Sequence, residues 1–179
     1  IFINAELEEL QQALSLDRGN RGVIVAQEER LDQRLEHRDL VWQGGVEHDV
    51  GLLLEGEDVA ALATAHALFP NPNYVARVDQ WLAEGIDLDP DGQYTEKSTT
   101  VYSPIVDRAL ITVARLLNRP ELFEPVRKNL EMTLYYVHPD GEVVTEASRR
   151  QDRYQRGSMA RYYYSYRQLA LRDGNGRFA

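Results

Sequence analysis

The sequence predicts an all-α fold in which helical hairpins alternate with short polar loops. Two observations lead to this fold class. Apolar residues recur at helical spacing over most of the chain. In addition, Pro-Asp-Gly occurs twice, at residues 90–92 and 139–141, and each copy precedes a short polar stretch. Proline presets φ and glycine accepts positive φ, so each copy is expected to turn into an extended segment.

The polar loops repeat along the chain. PDGQYTEKS at residues 90–98 and PDGEVVTEAS at residues 139–148 share Pro-Asp-Gly followed by Thr-Glu-x-Ser, and WQGGVEHD at residues 42–49 is a third glycine-centred loop. Their spacing is typical of structural repeats. Repeated helical hairpins stack as a solenoid or close into a toroid. Because a toroid brings the loops of one rim around a shared cleft, we expect part of an α/α toroid with these loops on one rim.

Each helix is predicted from its apolar spacing and from residues that begin or end helices. Asp58 and Asn73 are expected to cap the third and fourth helices. Strands are expected only inside the Pro-Asp-Gly loops. The seven predicted helices cover residues 2–16, 27–39, 58–69, 73–85, 100–118, 120–137 and 158–172.

The fifth and sixth predicted helices differ in their polarity. The sixth has one apolar and one charged face, so we expect it to face water. The fifth is apolar almost all round, so we expect it to be buried. Its narrow polar stripe consists of Asp107, Arg108, Thr112 and Arg115. A buried helix beside a half-exposed one is typical of hairpins arranged as an inner and an outer ring.

Length and composition limit the classes of function. The 179 residues are 43% hydrophobic, which predicts one globular domain. With the repeated loops, we expect a single partial toroid domain over residues 1–179. The chain begins at Ile1, and we expect it to be a fragment whose remainder completes the fold. The net charge of −9 argues against nucleic-acid binding, and no apolar run predicts a membrane span. The compartment stays open between periplasm, cell exterior and cytoplasm.

A basic segment interrupts this acidic chain directly after the second Pro-Asp-Gly loop. RRQDRYQR at residues 149–156, called the arginine loop below, contains four arginines and one aspartate. Charge runs are usually solvated surface. Arginine also presents a planar fork that matches carboxylate or sulfate. We therefore expect either a solvated surface or an anion-binding patch.

Residues 42–152 resemble the α/α-toroid polysaccharide lyases of the heparinase II/III and alginate lyase type. The resemblance is carried by the His-containing loop at residues 42–49, by DGQYTEKSTTVYSP at residues 91–104 and by YVHPDGEVVTEASRRQD at residues 136–152. It implies β-elimination of an acidic polysaccharide that contains uronic acid. It also implies that His48, or Gln43 in its place, acts on the uronate carboxylate or the reacting proton, and that Tyr102 transfers a proton.

The chemistry of β-elimination requires charge neutralisation, because a weakly acidic proton beside a carboxylate is removed. Arg149 and Arg150 are the candidates that bind the substrate carboxylate. A phenol that acts as a base needs positive charge nearby. Each candidate also has a structural reading, since Tyr102 begins an apolar helix and His48 lies in a polar loop. Glu96 and Glu146 are expected to bind substrate or to hydrogen-bond the loop backbone.

Two other functions stay open. A glycoside hydrolase on the same scaffold, acting on unsaturated uronides, would use a carboxylate pair such as Asp91 with Asp140 or Glu96 with Glu146. A non-catalytic module would bind carbohydrate through a flat arginine and tyrosine surface. Neither a metal site nor a cofactor motif is predicted, and the expected partner is an acidic polysaccharide or oligosaccharide in all three cases.

Overall fold

The described part of the chain consists of two helical hairpins, a further helix and one antiparallel pair of short strands. The computed structural model describes residues 51–179. The predicted helices at 2–16 and 27–39 and the loop at 42–49 lie outside these residues. The α-helices are α1 (Gly51–Leu68), α2 (Pro72–Ala83), α3 (Tyr102–Leu116), α4 (Phe123–Thr133) and α5 (Tyr163–Asp173). Short 3-10 helices cover Pro120–Leu122, Leu134–Tyr136 and Met159–Tyr162, and the strands are β1 (Glu142–Val143) and β2 (Gly157–Ser158).

The mainly helical prediction is confirmed for residues 51–179, while two predicted helix starts are wrong. Helix α1 begins at Gly51, so Asp58 lies inside it and does not cap it. The leucine and glutamate residues before Asp58 are good helix formers and extend the helix upstream. Helix α2 begins at Pro72, and the side chain of Asn71 caps it by accepting a hydrogen bond from the Asn73 amide at 3.0 Å. Proline suits a first helical position because its missing N–H has no partner there.

The start of the last predicted helix is also wrong, because residues 157–158 form a strand. Gly157 and Ser158 pair antiparallel with Val143 and Glu142, respectively. A Cβ on Gly157 would lie 2.5 Å from the Val143 carbonyl oxygen, so only glycine allows this approach. Ser158 then caps the following 3-10 helix by accepting a hydrogen bond from the Ala160 amide at 3.2 Å.

Helix α3 lies at the centre of the described unit and packs against α1, α4 and α5. Its apolar residues meet those of its neighbours, and Ile111 and Val113 are fully buried. Helix α4 contributes Val126 and Leu130 to this core and leaves Glu124 exposed. A buried α3 and a half-exposed α4 agree with the polarity of their sequences. Other fully buried core residues include Ala63, Val78, Tyr162 and Leu169.

The predicted polar stripe of α3 is wrong at Asp107, which is fully buried. Tyr94, from the preceding loop, covers this carboxyl group and donates a hydrogen bond to its Oδ1 atom at 2.8 Å. Burial raises the pKa of Asp107 well above its usual range, although the hydrogen bond from Tyr94 opposes this shift. Burial, with the neighbouring Asp107, also raises the pKa of Tyr94. The loop therefore supplies the donor that lets an acidic residue lie inside the core.

Candidate functional site

The two Pro-Asp-Gly motifs fold into hairpins of the same geometry. In the first, Gly92 has φ of 95° and Leu88 pairs with Tyr94; in the second, Gly141 has φ of 84° and Val137 pairs with Val143. Their aspartates also act alike. Asp91 accepts a hydrogen bond from the Gln93 amide, and Asp140 accepts one from the Glu142 amide, each at 3.0 Å. The sequence repeat is therefore a structural repeat.

The serines that end the two motifs converge on one buried carboxylate, Asp152, which is 1% exposed. Ser98 donates to Oδ2 at 2.9 Å, and Ser148 donates to Oδ1. Thr100 adds hydrogen bonds to Oδ2 from its hydroxyl at 2.9 Å and from its amide at 3.3 Å. Burial alone would raise the pKa of Asp152, but the hydrogen bonds from Ser148, Ser98 and Thr100 together hold that pKa below its usual value.

Further hydrogen bonds join the two loops directly. The Arg149 amide donates to the Glu96 carbonyl at 2.9 Å, and the Thr99 hydroxyl donates to the Val144 carbonyl at 2.5 Å. The structure therefore brings the two loops together. Residues 90–98 precede α3, and residues 139–148 follow α4. The third loop, at residues 42–49, lies outside the described residues.

Tyr102 lies where these two loops meet, at the first position of α3. Its hydroxyl forms a hydrogen bond with the side-chain amide of Gln151, whose Nε2 atom lies 2.9 Å away. The guanidinium carbon of Arg150 lies 5.1 Å from the centre of the Tyr102 ring, within the range of a cation–π contact. Arg150 also forms an ion pair with Glu96, with 3.0 Å between Nε and Oε1. We call Glu96, Tyr102, Arg150 and Gln151 the tyrosine cluster.

Other candidate residues lie outside the tyrosine cluster. Arg149 is exposed, next to the cluster, and is joined to it through its backbone amide. Glu146 is exposed, and its carboxylate accepts a hydrogen bond from the Thr145 amide at 3.0 Å. His48 and Gln43 lie outside the described residues.

The sequence did not single out Gln151 or the role of Asp152. Both residues follow the second motif. Their roles depend on contacts with Ser98 and Tyr102, which are about fifty residues away in the sequence. The available signal was the serine that both motifs share, because two small hydroxyl donors in equivalent loops suit one common acceptor.

Two further features were sought among the described residues, a cluster of metal-ligating side chains and a membrane-spanning helix. From Val59 onward, no group of three or more histidine, aspartate or glutamate side chains is arranged to hold a metal ion. Among the five α-helices, none combines the length and the apolar character that crossing a membrane requires.

Comparison with protein-family models, with curated proteins and with solved structures finds no match for this chain. The tyrosine cluster places a phenol, a cation, a carboxylate and an amide together where two loops meet. Such a set can bind a polar or anionic substrate, and it holds the phenolic oxygen in a fixed position.

Proposed function

We propose that this protein is of the α/α-toroid type and that it cleaves an acidic, uronate-containing polysaccharide by β-elimination at the tyrosine cluster. The observation that carries the proposal is the position of Tyr102. Its hydroxyl is held by Gln151 and its ring faces the Arg150 guanidinium. A tyrosine that served only to fill the core would need neither contact.

The order of elements supports the toroid. Helices α1 and α2 form one hairpin and are followed by the first Pro-Asp-Gly turn; α3 and α4 form the next and are followed by the second. Helix α5 packs on α3 and α4, as the first helix of a further hairpin would. Within the second hairpin, α3 is mostly buried and α4 is half-exposed, which is the difference expected between an inner and an outer ring.

The proposed reaction assigns a role to each group of the cluster. Tyr102 acts as the base, and its phenolic oxygen takes the proton from the carbon beside the uronate carboxylate. The electron pair of that C–H bond forms a carbon–carbon double bond as the neighbouring glycosidic C–O bond breaks, and the Tyr102 phenol returns the proton to the departing oxygen. Arg150 places positive charge beside the ring, and Gln151 orients the phenolic oxygen.

Arg150 and Arg149 have different roles in the proposed reaction. Arg150 is partly neutralised by Glu96, and this ion pair fixes its guanidinium beside the ring. The exposed Arg149 is the group that we assign to the substrate carboxylate, because its fork is accessible to an incoming polymer. A guanidinium beside the Tyr102 ring and an exposed arginine next to it in the chain suit an anionic substrate better than a neutral one.

The carboxylates that a hydrolase would need are engaged in local structure. Asp91 and Asp140 each accept a hydrogen bond from a backbone amide of their own turn. The Glu146 carboxylate accepts one from the Thr145 amide. Glu96 pairs with Arg150. We therefore favour elimination over hydrolysis for this site.

The first prediction tests the phenolic oxygen of Tyr102. The protein is incubated with a panel of uronate polymers, and the unsaturated product is followed by its ultraviolet absorbance. Tyr102→Phe keeps the ring and removes the hydroxyl, so we expect the rate to fall by roughly 10² to 10⁴-fold, the usual share of general acid–base catalysis. The melting temperature should change little. Tyr135→Phe is the matched control, because Tyr135 is 74% exposed and lies outside the cluster.

Three outcomes contradict the proposal. Full activity of Tyr102→Phe would exclude the phenol from the chemistry. A product that lacks the double bond would favour the hydrolase. Binding without any cleavage by the wild type would favour a carbohydrate-binding module.

A further inference from the structure

Tyr154 projects from the arginine loop in an unusual way. Its side chain is 71% exposed, although tyrosine is a large and largely apolar residue. Its backbone has φ of 62°, in the left-handed region that residues other than glycine and asparagine seldom adopt. This backbone conformation costs about 1 kcal/mol or more. Contacts from the surrounding residues must therefore hold the Tyr154 backbone in it.

The loop around Tyr154 is fixed at several points. The Gln155 amide donates to the Asp152 carbonyl at 3.0 Å, and the Gln155 side chain donates to the Gln151 carbonyl at 2.6 Å. The Thr145 hydroxyl donates to the Gln155 carbonyl at 2.7 Å. The same loop therefore carries Tyr154 and the Gln151 side chain that holds Tyr102, and it is rigid at both.

One arginine lies over the exposed ring, and a second follows Tyr154 two residues later in the chain. The Arg153 guanidinium carbon lies 4.9 Å from the centre of the Tyr154 ring, and Arg153 is itself held by a 3.2 Å hydrogen bond to the Glu146 carbonyl. Because Arg153 lies over one face, the ring is held in place while it stays exposed. The Arg156 side chain is 81% exposed and makes a 3.4 Å ion pair with Glu142.

We propose that Tyr154, Arg153 and Arg156 form a second subsite, which binds a neighbouring anionic sugar of the same polysaccharide chain. The sugar ring stacks its C–H face on Tyr154, and its carboxylate or sulfate is bound by the arginines. The inference rests on the proposed function, because it takes the tyrosine cluster as the site of the reacting sugar. It explains why an exposed tyrosine is kept in a strained conformation in the loop that also carries Gln151.

Binding of tetrasaccharides by calorimetry at low salt tests the subsite. The probes are tetramannuronate, tetragalacturonate and a chondroitin sulfate tetrasaccharide, and the Tyr102→Phe protein is used so that cleavage does not consume them. Adding Tyr154→Asn should weaken binding of the best probe by roughly 2- to 10-fold, the usual contribution of one aromatic contact. Tyr154→Phe should retain the affinity because the ring remains.

Stability separates this role from a structural one. Asparagine accepts the left-handed conformation better than tyrosine does, so Tyr154→Asn should keep or raise the melting temperature while it loses affinity. Tyr163→Asn is the control, because Tyr163 is 68% exposed on α5, outside the arginine loop, and it should bind normally.

The possible results distinguish the two proposals. Equal affinity of Tyr154→Asn and its parent would overturn the subsite. A loss of affinity that came with a large loss of melting temperature would also overturn it, since Tyr154 would then be structural. If binding depends on Tyr154 but the wild-type protein cleaves no polymer, the subsite is supported and the proposed β-elimination is excluded. Failure to bind any of the three probes would overturn both.

Discussion

At the scale of single residues, the most connected side chain of the two loops is Asp152. Its two oxygens accept four hydrogen bonds from Ser98, Thr100 and Ser148, and the group is almost fully buried. Removing a charge from water is costly unless hydrogen bonds replace the lost solvation. The lowered pKa of Asp152 indicates that these bonds outweigh the effect of burial. Asp152 therefore stabilises the fold in its ionised form.

Asp152→Asn should lower the free energy of unfolding by about 2 to 3 kcal/mol at neutral pH, because an amide nitrogen cannot accept the hydroxyl donors. The effect should depend on pH with a definite sign. A folded pKa below the unfolded one gives stability that is present above the unfolded pKa, near 4, and is lost as the pH falls through the folded pKa. Urea unfolding of the wild type and the variant should therefore differ at pH 7 and converge in acid.

Asp140→Asn is the control for this measurement, because its exposed side chain still offers Oδ1 to the Glu142 amide. It should change stability by less than about 1 kcal/mol. A constant difference between the wild type and Asp152→Asn from pH 7 down to acid would contradict the assignment of Asp152 as an ionised hub.

At the scale of elements, the two Pro-Asp-Gly hairpins have one design but different surroundings. Both glycines have positive φ. A Cβ on Gly92 would lie 2.6 Å from the Lys128 carbonyl oxygen on α4, whereas a Cβ on Gly141 would have nothing within 4 Å. Asn129 on α4 also donates a 3.0 Å hydrogen bond to the Gly92 carbonyl. The first hairpin is therefore packed tightly on α4, and the second turn is open.

Alanine at the two glycines should separate backbone strain from packing. Gly141→Ala should cost about 1 to 2 kcal/mol, because alanine disfavours the left-handed conformation. Gly92→Ala should cost about 1 to 3 kcal/mol more, since the new methyl group collides with backbone that cannot move aside freely. Chemical denaturation of both variants measures the difference. Equal losses of unfolding free energy in the two variants would mean that α4 shifts to accommodate the methyl group at residue 92.

At the scale of the whole described unit, the two loops behave as one structure because they share Asp152 and exchange backbone hydrogen bonds. Residues far apart in sequence, such as Ser98 and Asp152, are then stabilised together. The central α3 begins in this region, and the Ser98 hydroxyl accepts a 3.2 Å hydrogen bond from the Tyr102 amide. The loops therefore connect the start of α3 to the segment that precedes α5.

Hydrogen exchange should reveal this coupling. Ser98→Ala removes one donor to Asp152, so the Arg149 amide, which bonds to Glu96 in the other loop, should exchange roughly 5- to 10-fold faster, as expected for the loss of about 1 kcal/mol. Thr112→Ala is the control, because the Thr112 hydroxyl bonds only within α3, to the Arg108 carbonyl at 2.8 Å. Unchanged exchange at Arg149 in Ser98→Ala would show that the loops open independently.

Much of the helical order followed from local sequence. Apolar spacing predicted each of the five described α-helices, and Pro-Asp-Gly predicted both turns with their positive-φ glycines. The errors in the bounds of the elements lie at their ends, and the buried Asp107 is an error inside α3. Asp58 is a good cap that falls inside a longer helix, and Ser158 ends a strand before it caps a 3-10 turn. Cap signals are local, but the position of an end also depends on its neighbours.

The helices and the repeated turns could be predicted from the residues alone, because they depend on neighbours within a few positions, and so could the residue types of the candidate site. Which of those residues meet depends on the folded chain. Asp107 is buried because Tyr94 covers it, and Gln151 bonds Tyr102 because Asp152 draws the two serine motifs together. Such contacts join residues that are distant in the chain, so their energies arise only when folding excludes water and sets their geometry.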